Sequence, residues 1–282
     1  MFLRASVFES DLSQWDVSNV FYLESMFEYA IRFRSDLSLW DVSNVRNMRL
    51  LFSQIEEFQS DLSRWQTPLV VDTSAMFQNC REFTSDLSQW DVSQVTDMSF
   101  MFRGANNFNS DLSQWQTSRV TTMRNMFNDA TVFNSDLSNW DVSNVEDMSF
   151  MFFENELFQS DLALWDTSKV KEMRSMFSSA SVFNSDISGW NVSNVVEMAY
   201  MFNQGSFNQD ISSWNITSVA NMDYMFYGDD RFNQNLCAWG QRLVDAGNTE
   251  ISFELTFEFT GCANPNSPDL TSVPPGPFCA VC

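Results

Sequence analysis

With 282 residues, 37 acidic against 15 basic side chains, a formal charge of -22 and no histidine, the chain excludes several classes of function at the outset. So acidic a balance opposes binding to a phosphate backbone, which needs clustered Lys and Arg, and the absence of imidazole removes the commonest general base, triad member and metal ligand. No apolar run reaches the roughly 18 to 20 residues of a membrane span, so membrane insertion of this segment is not expected.

Met1-Phe2 reads as the Met-Phe of a unit repeated at Met26-Phe27, so the sequence opens inside a unit, and no basic stretch with an apolar core marks a signal peptide. Such a peptide is removed, upstream of a fragment, or absent. Phe8, Phe33, Phe58, Phe83, Phe108, Phe133, Phe158 and Phe183 then fall 25 residues apart, and after a one-residue deletion Phe207 and Phe232 continue the series. All ten tryptophans, from Trp15 to Trp239, keep the same step. A fixed period of this size predicts a stack of units that bury their apolar faces on each other.

Within one unit, Val145, Met148, Met151, Phe152 and Asn155 form a single stripe at helical spacing, and Ser143 with Glu146 makes a capping-box pattern, with Asp141 as an alternative cap. This predicts a short helix. Residues 135–138, Ser-Asp-Leu-Ser, are the expected short parallel strand, with Leu137 inward and Trp140 closing the coil. The predicted fold is an α/β repeat: a solenoid of about ten coils, each a short strand and a short helix, over residues 1–239, then a cysteine-containing cap and Pro-rich tail over 240–282. In the latter, residues 251–260 alternate like an edge strand and residues 264–277 are irregular.

The unit F-N-x-D-L-S-x-W-D-V-S-N-V-x-x-M-x-x-M-F resembles the BspA-like class of leucine-rich repeat from residue 1 to about 239. That resemblance implies the right-handed coil, exposure outside the cell, and use in adhesion or ligand binding, without naming a ligand. A second period of about 50 residues lies beneath the first: Thr67, Thr117 and Thr167 alternate with Val42, Val92, Val142 and Val192, and Phe100, Phe150 and Tyr200 alternate with Ser25, Ala75, Asn125 and Ser175. Gene doubling alone produces such alternation. A functional face carrying a ring on every second coil produces it too, and Phe100, Phe150, Tyr200 and Tyr224 are its candidate residues.

The column Asp11, Asp36, Asp61, Asp86, Asp111, Asp136, Asp161, Asp186 and Asp210 brings like charges close together, so something must offset their repulsion. Either the carboxylates accept hydrogen bonds from backbone and serine donors of neighbouring turns, or they hold a row of calcium ions. The missing glycine and the single carboxylate per turn favour the first, and no metal or cofactor is expected. The second column, Asp16, Asp41, Asp91, Asp141 and Asp166, has Gln66, Gln116, Asn191 and Asn215 at equivalent places, so it predicts hydrogen-bonded turns. Asn191-Val192-Ser193 and Asn215-Ile216-Thr217 are also glycosylation sequons, which count only in a secreted eukaryotic protein.

Cys80 replaces a small stripe residue and reads as a buried thiol. Cys237, Cys262, Cys279 and Cys282 cluster at the C-terminus, where disulfides that staple a small cap, a four-thiolate zinc site and free thiols are the alternatives, the first being favoured. Disulfides would place the chain outside the cell. No catalytic motif appears, and the chain is not expected to be an enzyme. The function this predicts is extracellular or cell-surface binding or adhesion, to a protein or glycan through one face. The alternative is a structural spacer or coat component that self-associates by lateral or end-to-end packing.

Overall fold

A computed structural model describes residues 1–282. Its organising contact joins each unit to the next: isolated parallel bridges run in one series from Tyr22 through Asn47, Asp72, Asp97, Thr122, Asp147, Glu172, Glu197 and Asn221 to Ser252. The units are therefore coils stacked in register.

Val145, Met148, Met151, Phe152 and Asn155 face inward as their spacing implies, but no helix carries them. The one helix of the chain is α1, Cys237–Asp245. In the stripe segment, Met148, Phe150, Phe152 and Glu154 donate their N–H groups to Glu172, Arg174, Met176 and Ser178 of the next coil, while Met151, Phe153 and Asn155 close tight turns onto the carbonyls three residues back. Phe150 and Glu154 have left-handed backbone, φ 60° and 55°. A helix requires uniform right-handed torsions and bonds to the residue four back, and both conditions fail here. A string of turns that reverses every three to four residues presents the same inward spacing as a helix, which is why the periodicity does not separate the two.

The strand expected at residues 135–138 is also replaced by a turn, in which Asp136 accepts the Ser138 N–H at 2.9 Å and Leu137 is buried. The inter-coil bridge sits at Asp147 instead. Ser143 caps no helix, because Asp141 Oδ1 accepts both its N–H and its O–H.

Behind the ladder the core is a set of ring columns. From Phe27 to Phe257, one phenylalanine per coil stacks on the next at centroid distances of 5.5 to 5.9 Å. The Phe33-to-Phe232 series forms a second column against it. Indoles form a third, and from Trp40 onward each Nε1–H donates to the carbonyl of the leucine or isoleucine one coil back, as Trp140 does to Leu112 at 3.0 Å. A buried indole needs such an acceptor, and the repeat supplies it from the neighbouring coil.

The alternation of Thr with Val has a local basis. Thr67, Thr117 and Thr167 are buried and donate their hydroxyls to the carbonyls of Asp91, Asp141 and Asn191 at 2.9 to 3.0 Å.

Past Trp239, α1 makes an excursion and the chain rejoins the stack. Residues 251–260 are not an edge strand: Met222, Tyr224, Phe226 and Gly228 donate to Ser252, Glu254, Thr256 and Glu258, so this segment is one more length of ladder, within the span assigned above to the cap. Arg242 and Asn248 cover the carbonyls of Ser212, Trp214, Thr217 and Val219 on the preceding coil. Phe278 of the tail is buried edge-on against Phe253.

Candidate functional site

The bridge ladder turns a row of acids outward. Asp72, Asp97, Asp147 and Glu197 each accept the N–H two residues ahead, at 2.7 to 2.9 Å, which fixes their carboxylates on the surface. Glu172 stands between Asp147 and Glu197, and its pKa is raised, chiefly by partial burial and then by those two charges.

Three residues along the chain from the ladder, Phe100, Phe150, Tyr200 and Tyr224 occupy one column, all half-buried and all with left-handed backbone at φ 58° to 61°. Bulky side chains disfavour this conformation by about 1 kcal/mol or more, and Gly or Asn takes it most readily. Arginines accompany the rings. The guanidinium of Arg103 lies 5.8 Å from the Phe100 centroid, that of Arg124 lies 5.6 Å from Phe150, and that of Arg174 lies 5.1 Å from Tyr200. Arg124 also reaches Asp147 at 3.5 Å and Arg174 reaches Glu197 at 3.9 Å, so an acid, a cation and a ring recur together two coils apart. Tyr200 and Tyr224 stack at 4.8 Å. Residue type and period single out the rings but not the arginines, although Arg124 and Arg174 obey the same long period.

The Asp11-to-Asp210 column lies at a different turn of the coil. Each carboxylate accepts the N–H two residues ahead at 2.8 to 3.0 Å, from Ser13 for Asp11 through Ala163 for Asp161 to Ser212 for Asp210. Serines bridge coils as well: Ser35 Oγ accepts the Leu12 N–H and donates to Asp11, and Ser110 and Ser160 donate likewise to Asp86 and Asp136. The backbone donor, then the serine hydroxyl, lowers the pKa of Asp11, Asp61, Asp86, Asp136 and Asp210, and for Asp186 the hydroxyl comes first. The second column makes similar turns, with Asn191 and Asn215 accepting from Ser193 and Thr217 as Asp16 does from Ser18.

At the C-terminus Cys237 pairs with Cys282 and Cys262 with Cys279. Cys80 is free and buried, its Sγ facing the Phe52 carbonyl, and burial pushes its thiol pKa far up. A further group, Asp229, had no distinguishing sequence signal beyond its place in the small-residue column. It is fully buried, accepts the N–H groups of Phe207 and Arg231, and has its pKa pushed up to about 6 by burial.

Three overlapping stretches, residues 1–89, 71–172 and 151–261, match the family described as Mycoplasma protein of unknown function, DUF285. The chain belongs to this family. Overlapping tandem matches are what one unit tiled along a chain produces, and they run past Trp239 into the last length of ladder. Comparison with curated proteins found no match. No helix of the chain is long and apolar enough to cross a membrane.

Proposed function

We propose that this DUF285 chain is a non-enzymatic, BspA-like solenoid, secreted or displayed at the cell surface, that binds a protein or glycan through the face bearing Phe100, Phe150, Tyr200 and Tyr224. The observation that carries the reading is the placement of these rings: each sits at a left-handed position that a small residue fills more cheaply, and each leaves part of its surface in water. Every coil needs a left-handed residue at this turn, which Ser25, Ala75, Asn125 and Ser175 fill elsewhere, and the use of half-exposed rings in their place supports contact with a partner. The paired arginines and acids add directional contacts to an apolar centre, the composition found in recognition surfaces. Two disulfides in the cap support an oxidising, extracellular setting.

The test is a binding screen of the full chain against extracellular proteins and glycans, repeated with Phe150→Ala and Tyr200→Ala. Ligands should be retained by the parent chain and lost from both variants. Equal retention by the variants would move function off this face.

A further inference from the structure

Phe100 and Phe150 stand two coils apart with the short Asn125 between them, so their rings flank a slot roughly 10 Å wide from the usual spacing of paired strands. The slot encloses about 490 Å³, with Arg103, Arg124, Asp129 and Glu154 around its rim and Asn125 and Asn128 on its floor. Both floor amides are more than nine-tenths buried, at 6% and 8% exposure. Asn128 Nδ2 donates to Asn125 Oδ1 at 2.8 Å, which leaves Asn125 Nδ2 as an open donor and Asn128 Oδ1 as an open acceptor. Neither atom is among the buried side-chain atoms left without a partner, so both reach the surface of the slot as an adjacent donor and acceptor open to a guest that offers both.

We propose that this slot is a subsite for a neutral pyranose ring of a glycan chain. The inference rests on the binding reading given above and specifies its ligand. A sugar hydroxyl both donates and accepts, matching the two amides, and the C–H face of a pyranose packs on Phe100, with the Arg124 guanidinium over Phe150 forming the facing wall. An α-helix, about 10 to 12 Å across, does not enter. An added peptide strand finds no free ladder edge there, because the backbone of each coil already bonds its neighbours. The choice of a neutral sugar follows from charge: Arg124 is paired with Asp147, Arg103 is matched by Asp129 and Glu154 on the same rim, and the chain carries -22 overall. An acidic polysaccharide meets repulsion there.

A second ring pair, Phe150 and Tyr200, stands above buried Ser175 and Ser178 with Arg174 alongside. The two slots follow one another along the stack axis, so a glycan chain running that way engages both, and affinity rises with its length.

Calorimetric titration of the full chain with neutral gluco-, manno- and galacto-oligosaccharides of one to six units, and with oligogalacturonate, tests the assignment. At least one neutral series should bind, tighten tenfold or more from monomer to tetramer, and change little between low and physiological salt. Phe100→Ala and Phe100→Leu should each weaken binding at least tenfold with an unchanged unfolding midpoint, whereas Leu164→Ser, at a site 87% exposed, should not. A preference for oligogalacturonate, no binding by any neutral series, or neutral binding untouched at Phe100 would each overturn the proposal. If neutral sugars fail while a protein ligand is lost on Phe150→Ala, the sugar assignment falls and the binding face stands. Loss of neither places the function elsewhere.

Discussion

The one-residue deletion before Phe207 removes an ordinary partner from the coil. In the neighbouring coil Phe183 donates its N–H to the Ala180 carbonyl, but Phe207 donates instead to the carboxylate of Asp229, one coil on, at 2.8 Å. A buried carboxylate here repairs a backbone defect, and burial makes its ionised form unfavourable. Its pKa, 3.8 when free, is about 6 in the fold, so the folded state binds a proton more readily than the unfolded state. The associated stability is fully present below the unfolded value and is lost as pH rises through about 6. Asp229→Asn should flatten the pH dependence of the unfolding free energy between about 4 and 7, measured by urea titration at several pH values. An undiminished slope would assign that dependence to another group. Asp229 was illegible in the sequence because its column holds Ala30, Ala105, Ala130 and Ala180, and nothing local says that a missing residue in a different coil has left a donor for it.

At the scale of one coil, the sequence disclosed which side chains face inward but not the backbone that turns them. Met148, Met151 and Phe152 are buried as their spacing demands. The deciding information is non-local: half of the N–H groups in the segment bond to a coil 25 residues away, and no window of sequence displays that competition with helix formation. Register between coils was legible, since any shift breaks the ring columns. That argument carries a measurable expectation at Phe127, which is fully buried and stacked on Phe102 and Phe152 at 5.7 and 5.8 Å. Phe127→Ala should destabilise the fold by about 3 to 5 kcal/mol in denaturant unfolding, the range for truncating a buried phenylalanine. A loss below about 1 kcal/mol would mean that the column relaxes to fill the cavity. The candidate face was legible only in part: the ring series stood out by its long period, whereas the guanidiniums over the rings depend on side chains folding back within and between coils.

Across the whole molecule, the acidic column from Asp11 to Asp210 decides how the stack responds to its solution. Its carboxylates have donors from the backbone and from serines, and those with lowered pKa values stabilise the fold above the unfolded value near 3.8 and cease to as pH falls through the folded one. Asp229 acts in the opposite sense, so acid first relieves one buried charge and then dismantles the turns. With Oδ1 already engaged along the column, calcium should add little, and the thermal midpoint at neutral pH is expected to move by no more than about 2 °C between chelator and millimolar calcium. A larger rise, abolished by Asp111→Asn with Asp136→Asn, would make the column a cation site.

The direction of the ladder bonds has an electrical consequence. Met148, Phe150, Phe152 and Glu154 all send their N–H groups toward the next coil, and the carbonyls of Asp147, Ser149, Met151 and Phe153 all point back to accept from the previous one. Those four peptide units are parallel and recur in coil after coil, against one or two opposing bonds per coil, of which Glu146 to Thr121 is an example, so the alignment toward the next coil prevails. Peptide dipoles aligned head to tail add, as they do in a helix, so the stack has an axial moment whose positive pole lies at the disulfide-bonded end and whose negative pole lies at the end that begins with Met1. An extended body with such a moment is polar in the sense of a bar magnet. In an electric field, or above a charged surface, one end leads, and the ring-bearing face is carried in a fixed orientation around that axis.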